Sequence, residues 1–141
     1  MTTPYKDITD ACVFELNGNT YQIRPLNVFN QLKIVSKLSP VLTLLVAQED
    51  KNIVKEKFAE LLAIFSNNLP EDQFNEVLKL CLGSVHRRIK NAWHPIYRSN
   101  DIVYQDIALK DMLNIIYEVM EANKLFDFFS TSQSKQEIET N

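Results

Sequence analysis

Asn17-Gly18, set between two short runs that alternate apolar and polar residues, constrains this chain more than any other feature. A two-residue turn between antiparallel strands needs positive φ at its central positions, and asparagine followed by glycine supplies it at little steric cost. Upstream, Cys12, Phe14 and Leu16 alternate; downstream, Tyr21 and Ile23 do the same. Pro25 then ends the ladder, because proline has no N–H to donate. The pattern predicts a β-hairpin over 11–26. Two strands alone are marginal in water, so this hairpin must pack on something else.

The remainder reads as helical. Val28, Leu32, Val35 and Leu38, with Phe29 beside them, recur at helix period and predict an inward stripe. Ser39-Pro40 breaks that run and fits the cap and first position of a second helix over 40–48. This helix is apolar nearly all round, with Leu44 and Leu45 at its middle, so it is either central or turned to a partner. A third helix over 52–66 carries Val54, Phe58, Leu61, Leu62 and Phe65 on one face. Pro70-Glu71-Asp72 opens a fourth, whose stripe is Phe74, Val77, Leu78, Cys81 and Val85. Residues 86–106 read as a loop or bent segment with a short strand over 102–104. Asp106 can cap a last helix over 107–123, with Leu109, Met112, Leu113, Ile116, Val119 and Met120 inward. Leu125 to Phe129 forms an apolar coda. Its rings Phe126, Phe128 and Phe129 either anchor in a partner's groove or close the domain's own core. The expected fold is mainly α (α+β): an N-terminal β-hairpin followed by a bundle of about five helices. It forms one domain over 11–129, between a flexible arm over 1–10 and a polar, disordered tail over 130–141.

Composition narrows what such a domain can do. The 141 residues suffice for one real core without disulfide or metal. There are only two glycines, so the glycine-clustered phosphate loops GxGxxG and GxxxxGK[ST] are arithmetically impossible. Cys12, Cys81, His86 and His94 lack the spacing of a zinc site and read as two reduced, buried thiols and two ordinary histidines. No nucleophile sits in an elbow motif, and no pair of acids stands out as an acid–base dyad. The chain is expected to be no enzyme and to need no cofactor. Nothing at the N-terminus resembles a signal peptide, and the longest apolar stretch, 41–47, falls far short of the ~20 residues of a membrane span. A cytoplasmic protein with no membrane association is expected.

Charge is uneven. The net charge is -3, yet residues 84–100 carry Arg87, Arg88, Lys90 and Arg98 with no acid, while 101–141 carry three basic and eight acidic residues. With Trp93 and Tyr97 nearby, this island could neutralise phosphates and stack on bases. A small nucleic-acid-binding regulator using 86–98 is therefore the alternative reading. The overall acidity, with a pI of 5.4, weighs against it. A helix end, or a docking patch for an acidic partner through Arg87, Arg88 and Trp93, accounts for the same residues.

The string Phe14-Glu15-Leu16-Asn17-Gly18-Asn19-Thr20-Tyr21-Gln22-Ile23-Arg24-Pro25-Leu26 resembles the opening of small phage tail assembly chaperones, F-x-L-N-G-x-x-Y-x-I-R-P-L. Gln31-Leu32, the run Lys37 to Leu42 and the late Glu121 to Phe129 are similar to the same family. The resemblance covers the layout of 12–129 and does not reach the residues of 84–106. It implies a non-enzymatic role in the host cytoplasm: binding the long, helical tape measure protein, keeping it soluble during tail assembly, and absence from the mature virion. The tail tube protein and a second copy of the chain are further candidate partners. Arg24, which follows the hairpin, and the apolar segments 40–48 and 125–129 are the contact candidates it implies.

Overall fold

The computed structural model describes residues 12–45 and 51–127. The arm 1–10, the tail 130–141, Phe128 and Phe129 lie outside them. The hairpin forms as expected, with β1 (Val13–Leu16) antiparallel to β2 (Asn19–Ile23) and Phe14 opposite Tyr21. Asn17 and Gly18 take φ of 53° and 79°, the mirror-image turn that suits twisted strands. The rings of Phe14 and Tyr21 stack at 5.3 Å.

Residues Val28–Leu45 form one continuous helix, α1, which runs through Pro40. The separate helix expected over 40–48 is therefore the second half of α1, as far as it is described. The buried set Ile34, Leu38, Val41, Leu42 and Leu45 explains this, because its four- and three-residue steps hold one phase across the proline. Packing of that stripe outweighs one missing N–H. Ser39 Oγ donates to the Ser36 carbonyl at 3.4 Å, the oxygen that residue 40 would otherwise have bonded. The same phase turns Val28, Phe29 and Leu32 outward, so the expected stripe faces the core at Val35 and Leu38 but not at these three residues. Asn27 caps the helix, its side-chain oxygen accepting from the Asn30 N–H at 2.8 Å.

Helix α2 (Lys51–Phe65) buries Phe58 and Leu62, and a 3₁₀ turn over Ser66–Asn68 leads to α3 (Glu71–Leu82). Helix α3 buries Val77, Cys81 and Leu82. The next segment departs most from expectation. Residues 85–95 are not a loop but two strands, β3 (Val85–Ile89) and β4 (Ala92–Pro95), joined at Lys90, whose φ is 58°. Strand β3 pairs with β2, Tyr21 opposite Arg87 and Ile23 opposite Val85, so the sheet is four-stranded and antiparallel in the order β1-β2-β3-β4. A small second hairpin, β5 (Tyr97–Arg98) and β6 (Asp101–Ile102), follows.

Helix α4 (Leu109–Ala122) buries Ile115, Ile116, Tyr117, Val119 and Met120. Its cap is not Asp106. Ala108 stands at the N-cap and Asp111 accepts the Ala108 N–H at 3.0 Å, while Asp106 is engaged elsewhere. Leu109, expected inward, is exposed. Tyr21, Ile23 and Val85 on the inner face of the sheet join the four helices in one core. The fold is mainly helical and α+β, as expected, with a sheet twice as wide as the hairpin alone.

Candidate partner-binding surfaces

Two surfaces stand out. The first lies where α1 begins and α4 ends. Val28, Phe29 and Leu32 are 74%, 77% and 62% exposed. Beside them runs a groove of about 290 Å³ lined by Val28, Gln31, Leu32, Val35, Asn123, Lys124 and Leu125. Local hydrogen bonds hold its walls. The Leu26 N–H donates to Asn123 Oδ1 at 3.1 Å, Gln31 Nε2 donates to the Leu26 carbonyl at 2.8 Å, and Asn123 Nδ2 donates to the Val119 carbonyl at 2.8 Å. Asn123, which ends α4, thus ties the hairpin's exit to the last helix. Three large apolar side chains left in water beside a formed groove are the kind of surface that a partner covers.

The second surface is the outer face of the sheet. Strand alternation and register place Val13, Glu15, Thr20, Gln22, His86, Arg88, Trp93 and Pro95 on it, with Arg88 opposite Trp93. None of these is buried. Arg24, one step past β2, extends this face, its N–H bonding the Ser84 carbonyl at 2.8 Å. Burial and then the Arg24 cation hold His86 below the usual histidine pKa.

The sequence candidates scatter accordingly. Arg24, Arg88 and Trp93 come together on the outer face. Arg87, one residue from Arg88, points the opposite way. Its guanidinium grips Asp106 through two bonds of 2.8 and 3.0 Å and lies 4.5 Å over the Tyr104 ring. With 14% of its side chain exposed, Arg87 holds the 104–106 segment to the sheet. Leu45 is a core residue at 2% exposure, whereas Leu44 stands 62% exposed, away from the groove's lining. Phe126 packs edge-on to Phe58 at 5.6 Å and against Tyr117 at 5.3 Å, so this part of the coda closes the core. Sequence reasoning missed Val28, Phe29 and Leu32 as a surface. The available signal was phase: Leu32 and Ile34 lie two residues, about 200°, apart on a helix, so both cannot face one core.

Among the described residues, no group of three or more His, Cys, Asp or Glu side chains could hold a metal ion, and no helix is long and apolar enough to cross a membrane. Burial pushes the Cys81 thiol up to about 12 and raises Cys12 as well. Neither is an activated nucleophile.

Fold and surfaces together describe a small α+β domain with an apolar groove at α1 and a polar outer sheet face. The chain belongs to the phage tail assembly chaperone family: the family model for phage tail assembly chaperone protein, TAC, matches residues 17–136. The matched span takes in residues 17–26 of the hairpin string and the late segment 121–129, and it also spans 84–106. It makes the protein a tail assembly chaperone rather than an enzyme. Comparison with curated proteins and with solved structures returns no match.

Proposed function

We propose that this chaperone binds the tape measure protein of its phage through the α1 groove and keeps it soluble until the tail tube assembles around it. The observation that carries this is that Val28, Phe29 and Leu32 are exposed together where a groove has formed, whereas Leu44, Ile64 and Leu109, about as exposed, do not line it. An amphipathic helix presents apolar side chains at three- and four-residue steps, and a groove beside an apolar ridge accepts such a helix. Fully burying a large apolar side chain stabilises by roughly 1.5–3 kcal/mol. Covering these three, each about two-thirds to three-quarters exposed, supplies roughly 3–6 kcal/mol. Association itself costs at least about 4 kcal/mol in lost freedom. One groove therefore binds weakly, and several copies along a long helical partner hold it by summed weak contacts. Weak single contacts suit a chaperone that is shed by growing tube subunits and is not retained in the mature virion.

Coexpression tests this reading. The cognate tape measure protein should move into the soluble fraction with the wild-type chain, and return to the pellet with the double variant Val28→Asp, Leu32→Asp. Equal solubility with both chains would overturn the groove assignment. Purified tails that retain this chain in stoichiometric amount would overturn its release.

A further inference from the structure

The outer face of the sheet carries arginines that have no acidic partner among the described residues. Arg87 is paired with Asp106, but among the described residues no carboxylate lies within ion-pair distance of Arg24, Arg88 or Lys90. The only side-chain hydrogen bond of Arg88 there is a long one, Nε donating to the Lys90 carbonyl at 3.4 Å. Register sets the spacing of the two arginines. Arg24 bonds across to Ser84, and Arg88 lies four residues further along the same strand direction. At about 3.3 Å per residue, their positions are roughly 13 Å apart along the strands, on neighbouring strands about 4.8 Å apart. His86 lies between them and is held neutral by burial and by Arg24. Trp93, the only tryptophan of the chain, faces Arg88 from β4 and is half-buried.

We propose that this face is a second docking surface, separate from the α1 groove, for an extended acidic protein segment whose carboxylates stand four residues apart. In an extended chain, residues i and i+4 lie on one side, again roughly 13 Å apart, so two such acids meet Arg24 and Arg88 together. The residues between them cross neutral His86, and a side chain beside the second acid packs on the Trp93 ring. Arginine is the residue suited to this task, because its guanidinium takes a carboxylate through two parallel bonds.

A nucleic acid suits the face less well. Stacking platforms set successive bases on several large rings, and among the described residues this face offers one, Trp93, beside the half-buried imidazole of His86. Glu15 stands on the same face, and the whole chain carries -3. A long polyanion meets that opposing field, whereas a short acidic segment touches only the cationic strip.

Trp93 makes the proposal directly measurable. The full chain is titrated with a synthetic peptide bearing glutamates at i and i+4 separated by serines, and tryptophan emission is followed at low salt. The emission should change saturably, and affinity should fall as salt is raised. The double variant Arg24→Gln, Arg88→Gln should weaken binding about tenfold or more, with an unchanged melting temperature. A peptide of the same composition with glutamates at i and i+3 should bind several-fold more weakly, since one acid then points away. Val28→Asp, Leu32→Asp should leave this binding intact, which separates failure of this face from failure of the groove. No response to the acidic peptide, equal binding of the two spacings, or binding of oligo-dT in preference to the peptide would each overturn the proposal.

Discussion

Replacing Phe126 and Phe29 by alanine should have opposite consequences, although each phenylalanine directly follows a groove-lining residue, Leu125 or Val28. Phe126 meets Phe58 at 5.6 Å and 89°, and Tyr117 at 5.3 Å, while Phe58 is wholly buried. Truncating a fully buried phenylalanine costs about 3–5 kcal/mol. Phe126 is half-buried, which roughly halves the transfer part, but an edge-on ring contact worth about 0.5–1.5 kcal/mol goes with it. The expected loss is about 2–3 kcal/mol. In a domain of this size, 1 kcal/mol corresponds to about 3–4 °C in Tm, so Phe126→Ala should melt about 6–12 °C lower. Phe29 is 77% exposed, so Phe29→Ala should change stability by less than about 0.5 kcal/mol, helped by alanine's higher helix propensity. Its effect should instead appear as loss of tape measure solubilisation, which Phe126→Ala retains below its Tm. Far-UV circular dichroism melts and the coexpression assay read both. A Phe126→Ala melt within about 2 °C of wild type would show that the coda does not close the core. A Phe29→Ala melt depressed as far as that of Phe126→Ala would show that α1 has been placed on the wrong face.

Three further outcomes follow from the same contacts. His86 titrates below its ordinary value of 6.5, so the unfolded chain takes up the proton first; stability should be complete above about pH 6.5 and decline as pH falls through the folded value. Urea midpoints across pH 5 to 8 should show this slope in wild type, less of it in Arg24→Gln and none in His86→Gln; parallel curves for all three would sink the assignment. Pro40 sits exposed inside α1, so Pro40→Ala should restore a helical hydrogen bond and raise stability by about 1–3 kcal/mol, read as a higher Tm; a lower Tm would mean the ring itself supports the helix. Cys81 is fully buried with its thiol raised to about 12, and Cys12 is also buried, so neither should react with a thiol reagent at pH 8 until the chain unfolds. Labelling of Cys81 in the native state at a free-thiol rate would contradict the core as described.

The hairpin was legible in the residues because its determinants are local. Asn17-Gly18 selects the turn, and alternation on either side selects the pairing. Helices α2 and α4 were legible for the same reason, since a stripe at helix period records its own face. Where a partner distant in the chain decided the outcome, the residues alone misled. Ser39-Pro40 carries a strong local stop signal, yet the core formed by Ile34, Leu38, Val41 and Leu45 carries α1 past it. Strands β3 and β4 mix the strand formers Val85, Ile89 and Trp93 with arginines, histidines and a proline, too weak a local signal to predict a strand pair. They are strands because β2, some sixty residues earlier, offers an open edge. The family could be recognised from the hairpin, but which residues face a partner could not. Arg87 and Arg88 are identical neighbours in the sequence. The register of β3 on β2 turns one inward to bind Asp106 and leaves the other in solvent beside Trp93, because successive side chains of a strand point to opposite faces.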